Sequence, residues 1–240
     1  MKNKILVLML MGISTTQIEA QELKTSFSTN PFLNSYNTPF NVPPFHLIKN
    51  EHFTAAIKEG IKKQDAEIKA IVNNKSVPTF ENTILALENS GELLSNVSTV
   101  FYNLNSANTN EEIQKIAREI APETSAHNDN IVLNEKLFAK VKSVWNEKDK
   151  LKLSTEESKL LENAYKRFVR SGANLNEKDK ERLRAINSEL SLLTLKFGQN
   201  ILAETNKYEL VIEKKEDLSG LSDELIAAAA ETAKAKGKEG

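Results

Sequence analysis

Val77–Gly91, VPTFENTILALENSG, is the stretch from which the rest of the chain can be laid out. Pro78 has no N–H and cannot continue a helix, Thr79 has a hydroxyl suited to capping one, and an apolar stripe begins at Ile84 and Leu87. The stretch therefore starts a helix at the hinge between two long helical segments. Glu81 and Asn82 fall in its first turn, where polar and acidic groups meet the positive end of the helix dipole. None of its residues is a plausible nucleophile, base or ligand set, so it carries architecture and not chemistry.

Upstream of the hinge, Phe53, Ile57, Ile61, Ile68 and Ile71 recur at steps of three, four or seven and predict a helix over Asn50–Asn73. Downstream, Ile84, Leu87, Leu94, Val97, Phe101 and Leu104 predict one helix from Phe80 to about Leu104, paired antiparallel with the first. Thr109-Asn-Glu-Glu112 reads as a capping box, Pro122 as a break or kink after Ile120, and Ile131, Leu137, Phe138, Val141 and Trp145 as the apolar face beyond it. Ser154-Thr-Glu-Glu157 is a second capping box, opening a helix that buries Leu160, Leu161, Ala164, Tyr165 and Phe168 and stops at Gly172. Asn176 caps the longest helix, to about Asn206. Its Leu183, Ile186, Leu190, Leu193, Phe197 and Ile201 sit near coiled-coil spacing, so Leu190 and Leu193 are expected on a buried seam. Tyr208–Ile212 reads as a short strand, Leu218–Gly220 as a turn, and Ser222 as the start of an Ala-rich helix. The expected fold class is mainly α: long antiparallel helices forming a scaffold, with one short strand near the C-terminal end.

Composition agrees. With 240 residues, 40% hydrophobic, and only 8 Gly and 6 Pro, the chain can bury a sizeable core and favours helices over a sandwich. A formal net charge of −1 supplies no field to recruit nucleic acid or an anionic membrane, and neither is expected as a partner. The absence of cysteine excludes disulfides, thiolate zinc sites and thiol catalysis together.

Residues 1–20 read as a secretory signal, with Lys2 and Lys4 ahead of the apolar run Ile5–Ile13 and the small Ala20 at the cut. That run is shorter than the ~20 residues a membrane span needs, and the competing reading is a buried N-terminal helix. Export to the periplasm or beyond is the expectation. Residues 21–48 hold four of the six prolines and scattered aromatics (Phe32, Tyr36, Phe40, Phe45). They should run extended across a surface, anchored by those rings, or serve as a proline-rich ligand. Residues 49–240 form the helical region.

No site emerges from the residues themselves. A zinc helix of the HExxH kind needs imidazoles four residues apart. The positions four after His46, His52 and His127 are Asn50, Ala56 and Ile131. His46 and His52, six apart, would face different sides of a helix, and His127, with Asp129 nearby, reads as a polar cluster at a helix junction. No serine-nucleophile frame or glycine-rich phosphate loop is present. Catalytic, cofactor-binding and metal-binding residues are therefore all expected to be none.

The wording of several segments nevertheless has a family character. PTFENTI with its ALE turn and SG, NPFLNSYNTP (30–39), PPFHLIKNEHF (43–53) and LNEKDKERLRAINSELSLLTLKFGQNILAETN (175–206) resemble the N-terminal region of the thimet oligopeptidase family of zinc metallopeptidases, most of all its peptidyl-dipeptidase branch. His46 stands where that family commonly has an acidic residue and Ala55 where it commonly has proline. The resemblance runs from Asn30 to Gly240 and implies an incomplete domain. It implies the helical wall of a channel admitting short peptide substrates, Tyr102, Asn103, Tyr165 and Arg170 being candidates to line it. In the family, zinc is held by two histidines and a glutamate, and the HExxH glutamate is general base for the attacking water. The resemblance places this equipment downstream, in a catalytic part that the chain partners, so this stretch is expected to bind no zinc and to be inactive alone. On the residues alone, the opposing reading is a non-catalytic exported helical module that binds peptides or a partner protein.

Overall fold

The computed structural model describes residues 30–238; the signal reading of residues 1–20 and the first part of the 21–48 segment lie outside them. The described residues form two compact units, one reaching Leu195 and the other starting at Lys196.

In the first unit, α1 (Asn50–Asn73) has the predicted bounds. The hinge then begins as the sequence implies. Thr79 Oγ1 accepts from the Asn82 N–H at 3.2 Å, Asn82 Oδ1 accepts from the Thr79 N–H at 2.8 Å, and Asn82 Nδ2 donates to the Val77 carbonyl at 3.0 Å. This reciprocal cap opens a π-helical turn, Phe80–Leu85, continued by the α turn Ala86–Glu88. The single helix expected from Phe80 to Leu104 does not form. The chain turns at Ser90–Gly91, where Gly91 adopts φ +78°, and α2 (Glu92–Ala107) starts afresh. Gly91 suits this turn because that φ disfavours side chains, and an added Cβ, 2.3 Å from Gln64 Nε2, would also push the Gln64 amide aside. Gly60 on α1 does related work: a Cβ there would meet the Leu94 backbone at 2.9 Å, so its absence lets α1 and α2 pack closely.

Next comes α3 (Glu111–Val132), capped by Asn110, whose Oδ1 accepts from the Ile113 N–H at 2.9 Å, one residue later than the box read from Thr109. The helix runs through Pro122 without ending. Buried Ile120 and Ala121 before the proline and Ile131 and Val132 after it hold both halves in place, while Thr124 Oγ1 donates to the carbonyls of Ile120 and Ala121 at 3.0 and 3.1 Å. Tertiary packing outweighs the one helical bond that proline forfeits. The Pro122 break is thus corrected. α4 is Glu135–Asn146, and α5 is Thr155–Arg170, with the Ser154/Glu157 capping box as predicted and Gly172 (φ +92°) just past its end. α6 (Glu177–Lys207) follows, with Asn176 Oδ1 accepting from the Asp179 N–H at 3.0 Å.

Two apolar clusters fill this unit. One joins Phe32, Phe53, Ile57, Val97, Phe101 and Ile113; the other joins Ile71, Phe80, Ile84, Leu137, Phe138 and Phe168. α1 and α3 contribute to both. Of the N-terminal aromatics, Phe32 anchors the chain, its ring 5.2 Å from Phe53, which in turn lies 5.1 Å from Phe101. Phe40 and Phe45 do not anchor: Phe40 is 99% exposed and Phe45 54%.

Two further expectations are overturned. The apolar seam of α6 is not buried: Leu190 is 56% exposed, Leu193 52% and Phe197 67%. Coiled-coil spacing marks a stripe that can be covered, and among the described residues nothing covers this one. The strand read at Tyr208–Ile212 is also absent; the described residues contain helices and turns but no strand. A strand exists only through a ladder with another, and no second strand is available here to pair with it.

The second unit comprises the last turns of α6, the irregular stretch 208–214, a 3-10 turn at Lys215–Leu218 and α7 (Asp223–Ala235), capped by Ser222. Glu209 accepts from Lys236 at 2.9 Å and also pairs with Lys238, tying the stretch to the end of α7; the two ammonium groups hold its carboxyl down at about 2. No described helix is long and apolar enough to cross a membrane.

Candidate functional site

The end of α3 carries the sequence Ala126-His-Asn-Asp-Asn130, and its four polar residues reach three different helices. His127, buried, places Nε2 2.8 Å from Gln64 Oε1 on α1. Asn128 Oδ1 accepts from Arg167 on α5 at 3.0 Å. Asp129, also buried, accepts from Asn187 Nδ2 on α6 at 2.8 Å, and Asn130 Oδ1 accepts from Arg184 at 2.9 Å. Successive residues on a helix point about 100° apart, so a run of four polar side chains can address neighbours all round it. His127 and Asp129, expected in one polar cluster, instead serve different neighbours, His127 facing Gln64 on α1 and Asp129 facing Asn187 on α6.

At the waist between the two apolar clusters, Gln64 Nε2 lies 3.3 Å from Ser90 Oγ and 3.4 Å from the Ser90 carbonyl, and Glu67 accepts from the Gly91 N–H at 2.7 Å. His127 Nδ1 sits 3.1 Å from Asp65 Oδ1, out of line for a hydrogen bond. The SG of the opening stretch is thus the point where the hinge is fastened to α1, and through Gln64 to α3.

On the Asp129 side of α3, a groove of about 650 Å³ opens among α2, α3, the end of α5 and α6. Asp129 and Asn187 line it, with Ser125 and Thr194 as hydroxyl groups, Leu183 and Leu190 as apolar surface, and Tyr102 and Arg170 at its edges. Tyr102 is half-buried; burial pushes its phenol up, and a hydrogen bond with Thr124 partly offsets this. Two of the four residues that the resemblance placed on a channel are here, Tyr102 and Arg170. The other two are not. Asn103 donates to the Thr99 carbonyl at 2.8 Å, and Tyr165 stacks on Trp145 with ring centroids 4.7 Å apart. The residues missed, Ser125, Asn187 and Thr194, had a signal available. Ala121, Thr124, Ser125 and Asn128 form a small and polar stripe at helical spacing on α3, and Asn187, Ser191 and Thr194 form another on α6.

The histidines are dispersed. His46 and His52 lie along a cleft beside the N-terminal segment, where His52 Nδ1 accepts from the Lys49 N–H at 3.1 Å, and His127 is in the waist. Among the described residues no three His, Cys, Asp or Glu side chains converge as metal ligands. The described residues do not fit a zinc site of the two-histidine, one-glutamate kind.

Comparison with known proteins gives a consistent set of relatives. No protein-family model matches the chain. It is 41% identical over 212 residues to a dipeptidyl carboxypeptidase of Salmonella typhimurium and 41% identical over 208 residues to that of Escherichia coli. It is 26% identical over 212 residues to oligopeptidase A of Salmonella typhimurium. These matches cover 88%, 87% and 88% of this chain and 31%, 30% and 31% of the relatives, so the chain spans about a third of the length of the proteins it matches.

Proposed function

We propose that this chain, which belongs to the thimet oligopeptidase and peptidyl-dipeptidase family and is nearer to its dipeptidyl carboxypeptidases than to oligopeptidase A, is the N-terminal helical part of an exported, zinc-dependent peptidase that acts on short peptides. Its role in that protein is to form one wall of the peptide channel. Zinc, the HExxH motif and the water-activating glutamate belong to the catalytic part that the remaining two thirds of such a protein supplies. The observation that carries the reading is 41% identity over 88% of this chain, which is too extensive to come from helical periodicity alone. The groove edged by Tyr102 and Arg170 supports it, because its volume of about 650 Å³ lies within the range of small-ligand clefts, roughly 300–1,000 Å³.

The test is to read the gene past Gly240, express its whole product, and assay a quenched fluorescent peptide with and without chelator. The expected result is an HExxH further on, chelator-sensitive cleavage by the whole product, and none by residues 21–240. A stop codon directly after Gly240, with the chain still binding peptides, would favour the non-catalytic module. Sequencing the N-terminus of the secreted protein checks export: it should begin at or within a few residues of Gln21, and a retained Met1 on a cytosolic protein would overturn that part.

A further inference from the structure

The groove beside α3 has an unusual charge arrangement. Its lining includes one carboxyl and one guanidinium, those of Asp129 and Arg170, and otherwise only neutral side chains. The two are not spent on each other, for no ion pair joins them. Asp129 is 3% exposed, and only its Oδ1 has a hydrogen-bond partner among the described residues, the Asn187 amide at 2.8 Å. Oδ2 is left for whatever occupies the groove. Arg170, at the exposed end of α5, has no hydrogen-bond or ion-pair partner among the described residues. A guanidinium at a groove edge with all its donors free suits a carboxylate, which it can grip through two parallel bonds. A nearly buried carboxyl with one oxygen unused suits an ammonium group, because water alone solvates it poorly there.

Ser125 and Thr194 also line the groove and carry hydroxyls with no hydrogen-bond partner among the described residues, and Leu183 and Leu190 offer apolar surface. A ligand complementary to all of this has a positive group, a negative group, further hydrogen-bonding groups and an apolar side chain. We propose that this groove binds a free dipeptide or similarly short unblocked peptide, its α-ammonium on Asp129 and its terminal carboxylate on Arg170. The inference deepens the peptidase reading and takes the peptide class from it; the charge arrangement supplies the requirement for two free termini.

The experiment is calorimetric titration of the full chain with Ala-Leu, N-acetyl-Ala-Leu and Ala-Leu amide, together with amide NMR shifts. Ala-Leu should bind, moving the signals of Ser125, Asn128 and Asn187, and each blocked form should bind at least about tenfold more weakly, the loss of one charge-assisted contact. Arg170→Gln should reduce Ala-Leu to the affinity of its amide while leaving the amide unchanged. Asp129→Asn should do the same with respect to the acetylated form. Asp129 also holds α6, so if that variant melts early, the blocked ligands and Arg170→Gln decide alone. Equal binding of all three ligands, no binding at millimolar concentration, shifts confined to residues elsewhere, or indifference to Arg170→Gln would each overturn the proposal. Cleavage by the whole product in the separate assay would leave the peptidase reading standing even so, and binding here without such cleavage would leave this site standing without it.

Discussion

Asn82 does more than any other side chain in the opening stretch, closing the hinge turn with bonds to Thr79 and Val77 while accepting from Thr83 Oγ1 at 2.8 Å. Asn82→Ala should lower unfolding free energy by about 1–2 kcal/mol, the usual cost of a lost cap, in denaturant titration. A second residue-scale test concerns Lys180, nearly buried yet bonded to both Glu135 and Glu177 at 2.9 Å. The Lys180 ammonium holds the Glu135 carboxyl below its ordinary 4.5, and Glu135 and Glu177 raise Lys180 above 10.5. A lowered carboxyl contributes stability that is present above 4.5 and is lost as pH falls through its folded value; a raised ammonium contributes below 10.5 and loses it as pH rises through its own. Melting temperatures should therefore fall as pH drops below about 4.5, and less steeply in Lys180→Met; equal slopes would discount the pair. The capping residues were legible because caps are local chemistry. Lys180 was not, because a lysine on a charged helix reads as solvated until Glu135, 45 positions away, is brought beside it.

At the scale of elements, the structure separates apolar positions that are packed from those that are merely patterned. Phe101 and Leu190 both sit on helical stripes, yet Phe101 is fully buried and Leu190 is 56% exposed. Phe101→Ala should cost about 3–5 kcal/mol, whereas Leu190→Asp should change the stability of this chain by no more than about 0.5 kcal/mol; thermal melts of the two variants check both. Periodicity revealed that α6 has an apolar face. It does not say whether anything lies against that face, which is why Leu190 and Leu193 were expected in a seam. The same limit explains Tyr208–Ile212, where a run of strand-forming residues found no ladder. α1 was placed to the residue because its stripe, its start and its stop all agree, and Pro122 misled because a local breaker was overruled by packing on both of its sides.

For the molecule as a whole, the consequence of an uncovered α6 stripe is association. The chain by itself should show concentration-dependent mass in light scattering, and Phe197→Lys with Ile201→Lys, both at exposed positions (67% and 51%), should return it to a monomer without lowering its melting temperature. Invariant mass across concentration would show that the stripe tolerates water. The groove was only half visible beforehand, since Tyr102 and Arg170 came from family likeness and Asp129 gained its meaning from Asn187, 58 positions on. The waist of Gln64, Ser90, Gly91 and His127 bears on how such a protein can diverge. Inside either apolar cluster, a larger side chain can be balanced by a smaller neighbour, so each can drift on its own. The waist has less latitude, because its bonds are directional and the backbone at Gly91, φ +78°, disfavours other residues. Across relatives, its members should be inherited or exchanged as a set, and the histories of the two clusters should be uncorrelated.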